Sequence, residues 1–207
     1  MRILDAGESA ILAEFADLDT VLAHFRALDK SRPPGIREVI PAARTIAVRF
    51  DCHETRKDRV VKWVRTTQPQ RQAHTSERGT GTEEIRIAVR YDGPDLEEVA
   101  GYTGLNVDEV IAAHIGTPWT VAFCGFVPGF GYLTGGPPEL QVPRRDSPRT
   151  GVPAGAVGLA GGFTGIYPRS SPGGWQLIGT TDEPIWEPAR TPPALLRPGV
   201  VVRFVQE

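Results

Sequence analysis

Residues 1–66 switch between two hydrophobic periods. Arg2–Leu4 and Ala10–Phe15 read as short strands joined at Gly7-Glu8. Leu18, Val21, Leu22, Phe25 and Leu28 then recur at helical spacing on one face, behind Asp17 as N-cap. Pro33-Pro34-Gly35 ends that helix. Ile36–Ile40 follows as a strand, and Thr45–Phe50 sets Ile46, Val48 and Phe50 against Ala47 and Arg49 with period two. A second helix is predicted over Thr55–Thr66, with Val60, Val61, Trp63 and Val64 as its apolar side and Thr55 with Asp58 as a capping box. The order ββαββα predicts a small two-layer domain, one sheet with helices on one face.

The apolar pattern stops in residues 68–82, QPQRQAHTSERGTGT, which read as a linker and divide the chain into domains at 1–80 and 81–207. It resumes with Ile85, Ile87, Val89 and Tyr91 alternating against Arg86, Ala88 and Arg90. Asp92-Gly93-Pro94 is a turn, Asp95–Ala100 a short helix, and Asn106 with Glu109 caps a helix that carries Val107, Val110 and Ile111 on to His114. Short strands are predicted at Trp119–Phe123, Ala156–Leu159, Phe163–Tyr167, Trp175–Ile178 and Val200–Val205, with a Pro-rich excursion from Glu183 to Pro198. Short strands separated by Gly/Pro turns predict a mostly antiparallel β-barrel or sandwich rather than βαβ units. The fold class is therefore α+β.

Composition changes this picture mainly by exclusion. A 207-residue chain with 40% hydrophobic and 23% charged residues can bury a core. Its net charge of −2 gives no reason to expect nucleic acid or an anionic membrane as partner. No apolar run approaches the roughly 20 residues of a membrane span, and MRILDAGESAIL is not a signal peptide, so the expected location is the cytoplasm. Cys52 and Cys124 are far apart and outside any CxxC pair, which argues against a disulfide framework or a cysteine zinc site; Cys124 reads as a buried structural thiol. His24 reads as solvated, and no second ligand pattern surrounds His53, so no metal site is expected. The lysines, Lys30, Lys57 and Lys62, all precede the second domain. A Schiff-base or Walker lysine is thereby excluded from that domain, where anions must be held by Arg or backbone N–H groups.

Candidate chemistry concentrates in four dense segments: GFVPGFGYL (Gly125–Leu133), PRRDSPRTGVPAG (Pro143–Gly155), AGGFTGIYP (Ala160–Pro168) and SPGGWQLIG (Ser171–Gly179). Gly and Pro specify loops of defined shape, and turn chemistry alone does not require Arg144, Arg149, Tyr167 and Trp175 in them. His114 suits general acid–base work near neutral pH, or equally a helix terminus. Arg144 and Arg149, each after a proline, suit a carboxylate or phosphoryl clamp, or equally a subunit interface. These three are the candidate catalytic residues. Phe126, Pro128, Gly129, Tyr132, Thr164, Tyr167, Gly173, Gly174 and Trp175 are the candidate substrate contacts; their aromatics can wall a pocket or anchor a partner.

The four segments, in order and closed by RPGVVVRF, resemble the family called allophanate hydrolase subunit 1, whose members include the B component of 5-oxoprolinase and a sporulation-kinase inhibitor. The likeness runs from Ile85 to the end, and more weakly over the N-terminal ββαββα segment. It implies a cyclophilin-like barrel behind the smaller domain. It also implies a partner, a second cyclophilin-like subunit of the type found as the C component of 5-oxoprolinase or as allophanate hydrolase subunit 2, and it allows for a third, A component. The implied activity is ATP-dependent opening of 5-oxoproline to glutamate by a hydrolase complex in which this chain is a non-autonomous subunit, with ATP bound by it or by a partner. A carboxyltransferase-like role in a urea carboxylase/allophanate system and a regulatory module inhibiting a histidine kinase are the alternatives. Ala156 stands where members usually carry Ser and Thr180 where they usually carry Arg, which marks both as places where the substrate is expected to differ.

Overall fold

A computed structural model describes residues 1–69 and 83–207. They form two compact units, one on each side of residues 70–82. The predicted linker falls almost wholly outside the described residues.

The first unit follows the predicted order: β1 (Arg2–Asp5), β2 (Ala10–Glu14), α1 (Leu18–Lys30), β3 (Ile36–Pro41), β4 (Thr45–Phe50) and α2 (Lys57–Thr66). The strands make an antiparallel sheet in the order β1-β2-β4-β3. Ile11 and Ala13 of β2 and Ile46, Val48 and Phe50 of β4 point to one face, where Val21 and Leu28 of α1 and Val60 and Val64 of α2 cover them. Asp17 caps α1 by accepting from Thr20 N at 2.7 Å. The expected capping box of the second helix does not form. Its N-cap is Arg56, without a side-chain hydrogen bond, and the Thr55 side chain lies against Gly35 instead. His24 is half-buried rather than solvated: its ring lies 4.6 Å from that of Phe15, with Nδ1 2.8 Å from Thr20 O.

The second unit contains β5 (Glu84–Val89), α3 (Leu96–Thr103), α4 (Val107–Gly116), β6 (Trp119–Cys124), β7 (Gly131–Thr134), a 3-10 turn (Pro138–Leu140), β8 (Arg149–Val152), β9 (Ala156–Ala160), β10 (Phe163–Ile166), β11 (Ser171–Gly173), β12 (Gln176–Thr180) and β13 (Val201–Gln206). Both halves of the Asn106–Glu109 capping box are present on α4. Seven strands form one sheet in the order β12-β9-β10-β7-β6-β13-β5, antiparallel except for the parallel pair β13–β5. Past the end of β5, Arg90 exchanges both backbone hydrogen bonds with Thr180 of β12 (2.9 and 2.8 Å), so the sheet nearly closes on itself. The class is α+β, as the sequence pattern predicts.

Every residue of β9 is buried, so this part of the sheet is covered on both faces. Val157 and Leu159 enter the main core with Val99, Val110, Trp119 and Phe204. Ala156 and Ala160 face a second cluster of Phe130, Val152, Tyr167, Trp175 and Leu177. The two-stranded ribbon β8–β11 lies at that second cluster through Val152, and the four Gly/Pro-rich segments converge there.

Candidate functional site

Above the second cluster lies a cleft of about 280 Å³, at the small end for a ligand pocket. It is lined by Phe126, Phe130, Tyr132, Arg144, Arg145, Pro148, Tyr167, Pro172, Gly173, Gly174 and Trp175. Of the residues singled out from the sequence, the fold brings Phe126, Tyr132, Arg144, Tyr167, Gly173, Gly174 and Trp175 together here. Pro128, Gly129, Thr164, Arg149 and His114 do not line it.

The walls are aromatic and centred on Phe130. Its ring meets Tyr132, Tyr167 and Trp175 edge to face, with centroids 5.1, 5.2 and 5.3 Å away. Such pairs add about 0.5–1.5 kcal/mol each beyond their buried area, so the aromatic wall is held together by its own contacts. Two close approaches need glycine. A Cβ on Gly165 would lie 3.0 Å from both Phe130 and Trp175, and one on Gly173 would lie 2.3 Å from the Tyr167 hydroxyl. Burial raises the phenol pKa values of Tyr132 and Tyr167, which therefore remain neutral hydrogen-bonding groups. At the rim, Phe126 holds a left-handed φ of 67° and is 59% exposed. A bulky residue in that conformation is strained, and such strain collects at functional sites.

The arginine loop is fixed on both sides of Arg144. Gln176 Nε2 donates to Pro143 O (3.3 Å), and Arg145 N donates to Gly174 O (2.8 Å). Arg145 Nη1 and Arg149 Nη2 both donate to Asp95 Oδ1, at 2.8 and 2.6 Å. Asp95 is 2% exposed, and its Oδ2 accepts from Leu177 N at 2.7 Å. It stands at the N-cap of α3 yet spends its side chain on the arginine loop and β12 instead of on the helix. Arg145 Nε and Arg149 Nη1 are buried without a partner. Arg144 is exposed and makes no hydrogen bond or ion pair among the described residues. A cation pinned at its backbone, with its guanidinium unpaired beside an aromatic wall, is suited to an anion.

His114 sits in the main core, fully buried. Its ring stacks on Phe204 with centroids 4.4 Å apart. Thr164 Oγ1 donates to Gly158 O (3.1 Å), so it accepts from His114 Nε2 (3.0 Å), and Nδ1 is left to accept the Tyr91 hydroxyl (2.7 Å). The tautomer follows from this network. Burial pushes the imidazole pKa down to about 3. Both nitrogens are occupied and the ring stays neutral, the condition of a buried structural histidine. Thr164 belongs to the same chain of hydrogen bonds. Gly129 packs instead on Trp186 and Pro168. Neither expected point of substrate divergence lines the cleft. Ala156 is buried in the second cluster behind it, and Thr180 is at the barrel seam with Oγ1 2.9 Å from Asp92.

Sequence reasoning missed Phe130, Pro148 and Pro172 as lining residues and Asp95 altogether, and it favoured Arg149 over Arg145, the neighbour in the same loop that does line the cleft. Phe130, Arg145, Pro148 and Pro172 all lie inside quoted segments, so proximity to neighbours already chosen could have found them. Asp95 reads from the sequence only as the start of a short helix, and nothing in one sequence ties it to residues 50 positions away. Among the described residues, Asp51, Cys52 and His53 of the first unit bring potential metal-ligand atoms within 4.8 Å of one another. That group is solvent-facing, and Asp51 is already paired with Arg37 at 2.7 Å. No helix among the described residues is long and apolar enough to cross a membrane.

Fold and site together define an α+β protein with a small α/β unit, a nearly closed β-barrel unit and an arginine-edged aromatic cleft on the latter. The chain belongs to the family of carboxyltransferase domains, subdomains C and D, whose model matches residues 1–196. Among its relatives, the B component of 5-oxoprolinase from Bacillus subtilis is 37% identical over 99% of this chain and 92% of its own length. The solved structure of TTHA0988 superposes with a TM-score of 0.76 at 35% identity, over 96% of this chain but 39% of that one. The urea amidolyase of K. lactis superposes with a TM-score of 0.79 over 99% of this chain and 15% of that one; at 17% identity the likeness is one of fold. The resemblance read from the loop segments is thereby borne out.

Proposed function

We propose that the chain is the B-type component of an ATP-dependent 5-oxoprolinase, inactive by itself and completed by a second cyclophilin-like protein and a third component. The observation that carries this reading is the 37% identity to the B component of a 5-oxoprolinase along nearly the whole of both chains. The cleft supports it. Arg144 receives the substrate carboxylate, and Phe126, Phe130, Tyr132, Tyr167 and Trp175 enclose a small lactam ring. The backbone of Gly173 and Gly174 lets the ring approach closely. ATP, held on a partner, phosphorylates the lactam oxygen; water then adds at the same carbon, the ring C–N bond breaks and phosphate leaves. His114 takes no part as acid or base in this scheme and instead fixes β10 behind the cleft.

The test is reconstitution. Combined with its second and third components, the chain is expected to support ATP hydrolysis that depends on 5-oxoproline, and omission of the chain should abolish it. No rate above background with all components present and folded would overturn the assignment.

A further inference from the structure

We propose that Asp95 and Glu98 set the charge the cleft accepts. They neutralise Arg145, which lines the cleft, and Arg149, which lies beside it in the same loop, so that Arg144 alone remains to meet an anion and the site takes ligands with a single negative charge. The inference rests on the cleft being a ligand site and narrows the class of ligand.

Two arginines of the loop are paired with acids of α3 and its N-cap. Arg145 Nη1 lies 2.8 Å from Asp95 Oδ1 and 3.5 Å from Glu98 Oε2. Arg149 Nη2 lies 2.6 Å from the same Asp95 oxygen. Two acids thus face two arginines. The remaining lining side chains are apolar or neutral: Phe126, Phe130, Tyr132, Tyr167 and Trp175 with prolines and glycines. Arg144 is the one lining cation without an acidic partner among the described residues. A monocarboxylate entering the cleft meets one charge and an aromatic wall. A dianion such as phosphate would carry a second charge into an apolar wall with no counter-charge, which is strongly disfavoured. Discrimination here comes from what the site withholds, since two arginines next to Arg144 are already engaged. A phosphorylated species or nucleotide therefore has its phosphates held elsewhere in the complex.

Asp95 and Glu98 differ usefully as probes. Asp95 is buried and also holds β12 through Leu177, so its loss also perturbs the fold. Glu98 is exposed and, among the described residues, otherwise only accepts the Tyr102 hydroxyl at 2.9 Å.

The experiment is titration calorimetry on the full chain at mildly alkaline pH, where inorganic phosphate is a dianion. Three probes are used: 5-oxoproline; cyclopentanecarboxylate, which has the same ring size and charge but no lactam; and inorganic phosphate. Both carboxylates are expected to bind at least about tenfold more tightly than phosphate, and Arg144→Gln to weaken both by about tenfold. Glu98→Gln should shift the phosphate-to-carboxylate ratio by about threefold towards phosphate, and Asp95→Asn by more. Phosphate binding the unaltered chain as tightly as the carboxylates overturns the proposal. So does a ratio unmoved in Glu98→Gln, or failure of both carboxylates to bind. Binding of cyclopentanecarboxylate without 5-oxoproline would sink the lactam reading and leave the charge rule standing.

Discussion

At the scale of single residues, the site separates two kinds of basic side chain that look alike in the sequence. Arg144 and Arg149 both follow proline, yet only Arg144 presents an unpaired guanidinium to the cleft. His114 invites an acid–base role by type and by position before a functional loop. Its surroundings decide otherwise, because Tyr91, Thr164 and Phe204 saturate the ring. That has a consequence for stability. The folded-state pKa is depressed from 6.5 to about 3, so below pH 6.5 the unfolded chain takes up a proton that the folded chain refuses. Stability contributed by the neutral ring is complete above pH 6.5 and is lost as pH falls from 6.5 towards about 3, at up to about 1.4 kcal/mol per pH unit. Thermal melts should therefore show a steeper acid loss in the unaltered chain than in His114→Gln, whose baseline stability is lower. Equal slopes across that window would show that the ring is not held neutral.

Among the elements, regular periodicity was easy to read and irregular ribbons were not. The strands and helices of the first unit and the Asn106 cap announce themselves by alternation or capping chemistry, and β9, β10, β12 and β13 as short runs set between Gly/Pro turns. β7, β8 and β11 carry sequences such as Gly131-Tyr132-Leu133-Thr134 and Ser171-Pro172-Gly173, where Gly and Pro mask the period-two signal. Their pairing is imposed by long-range contacts, β7 by β6 and β10, and β8 by β11. The cleft was half legible for the same reason: its aromatic residues stand out in the segments, whereas the Asp95 anchor depends on a meeting of α3 with the arginine loop. Glycine in β11 makes an element-level prediction. Gly173 faces Arg149 across the ribbon, and a Cβ there would collide with the Tyr167 hydroxyl. Gly173→Ala should cost about 1–3 kcal/mol by overpacking and displace the ribbon or the tyrosine. A lowered melting temperature together with loss of carboxylate binding is the expected result; an unchanged melt with unchanged binding would mean that the ribbon is not part of the wall.

For the whole molecule, each unit buries a core of its own, Ile46 and Val48 at the centre of one, Trp119 and Phe204 in the other. We expect a fragment spanning residues 83–207 to fold alone and to keep the carboxylate preference of the cleft. Circular dichroism and calorimetry check this, and an unfolded fragment would show that the division into two domains is not an energetic one. The β13–β5 pair bears on how that barrel is made. Val201–Gln206 pairs in parallel with Glu84–Val89, and β13 lies between β5 and β6 as an interior strand. The barrel therefore cannot be completed during synthesis until residues 201–206 have left the ribosome, while the first unit has no such dependence. Contacts of this sequence separation carry a large loop-closure cost before they return any energy, which makes folding slow relative to a domain of local contacts. Until then β6 has an open edge, and the nascent chain is most open to aggregation or chaperone capture.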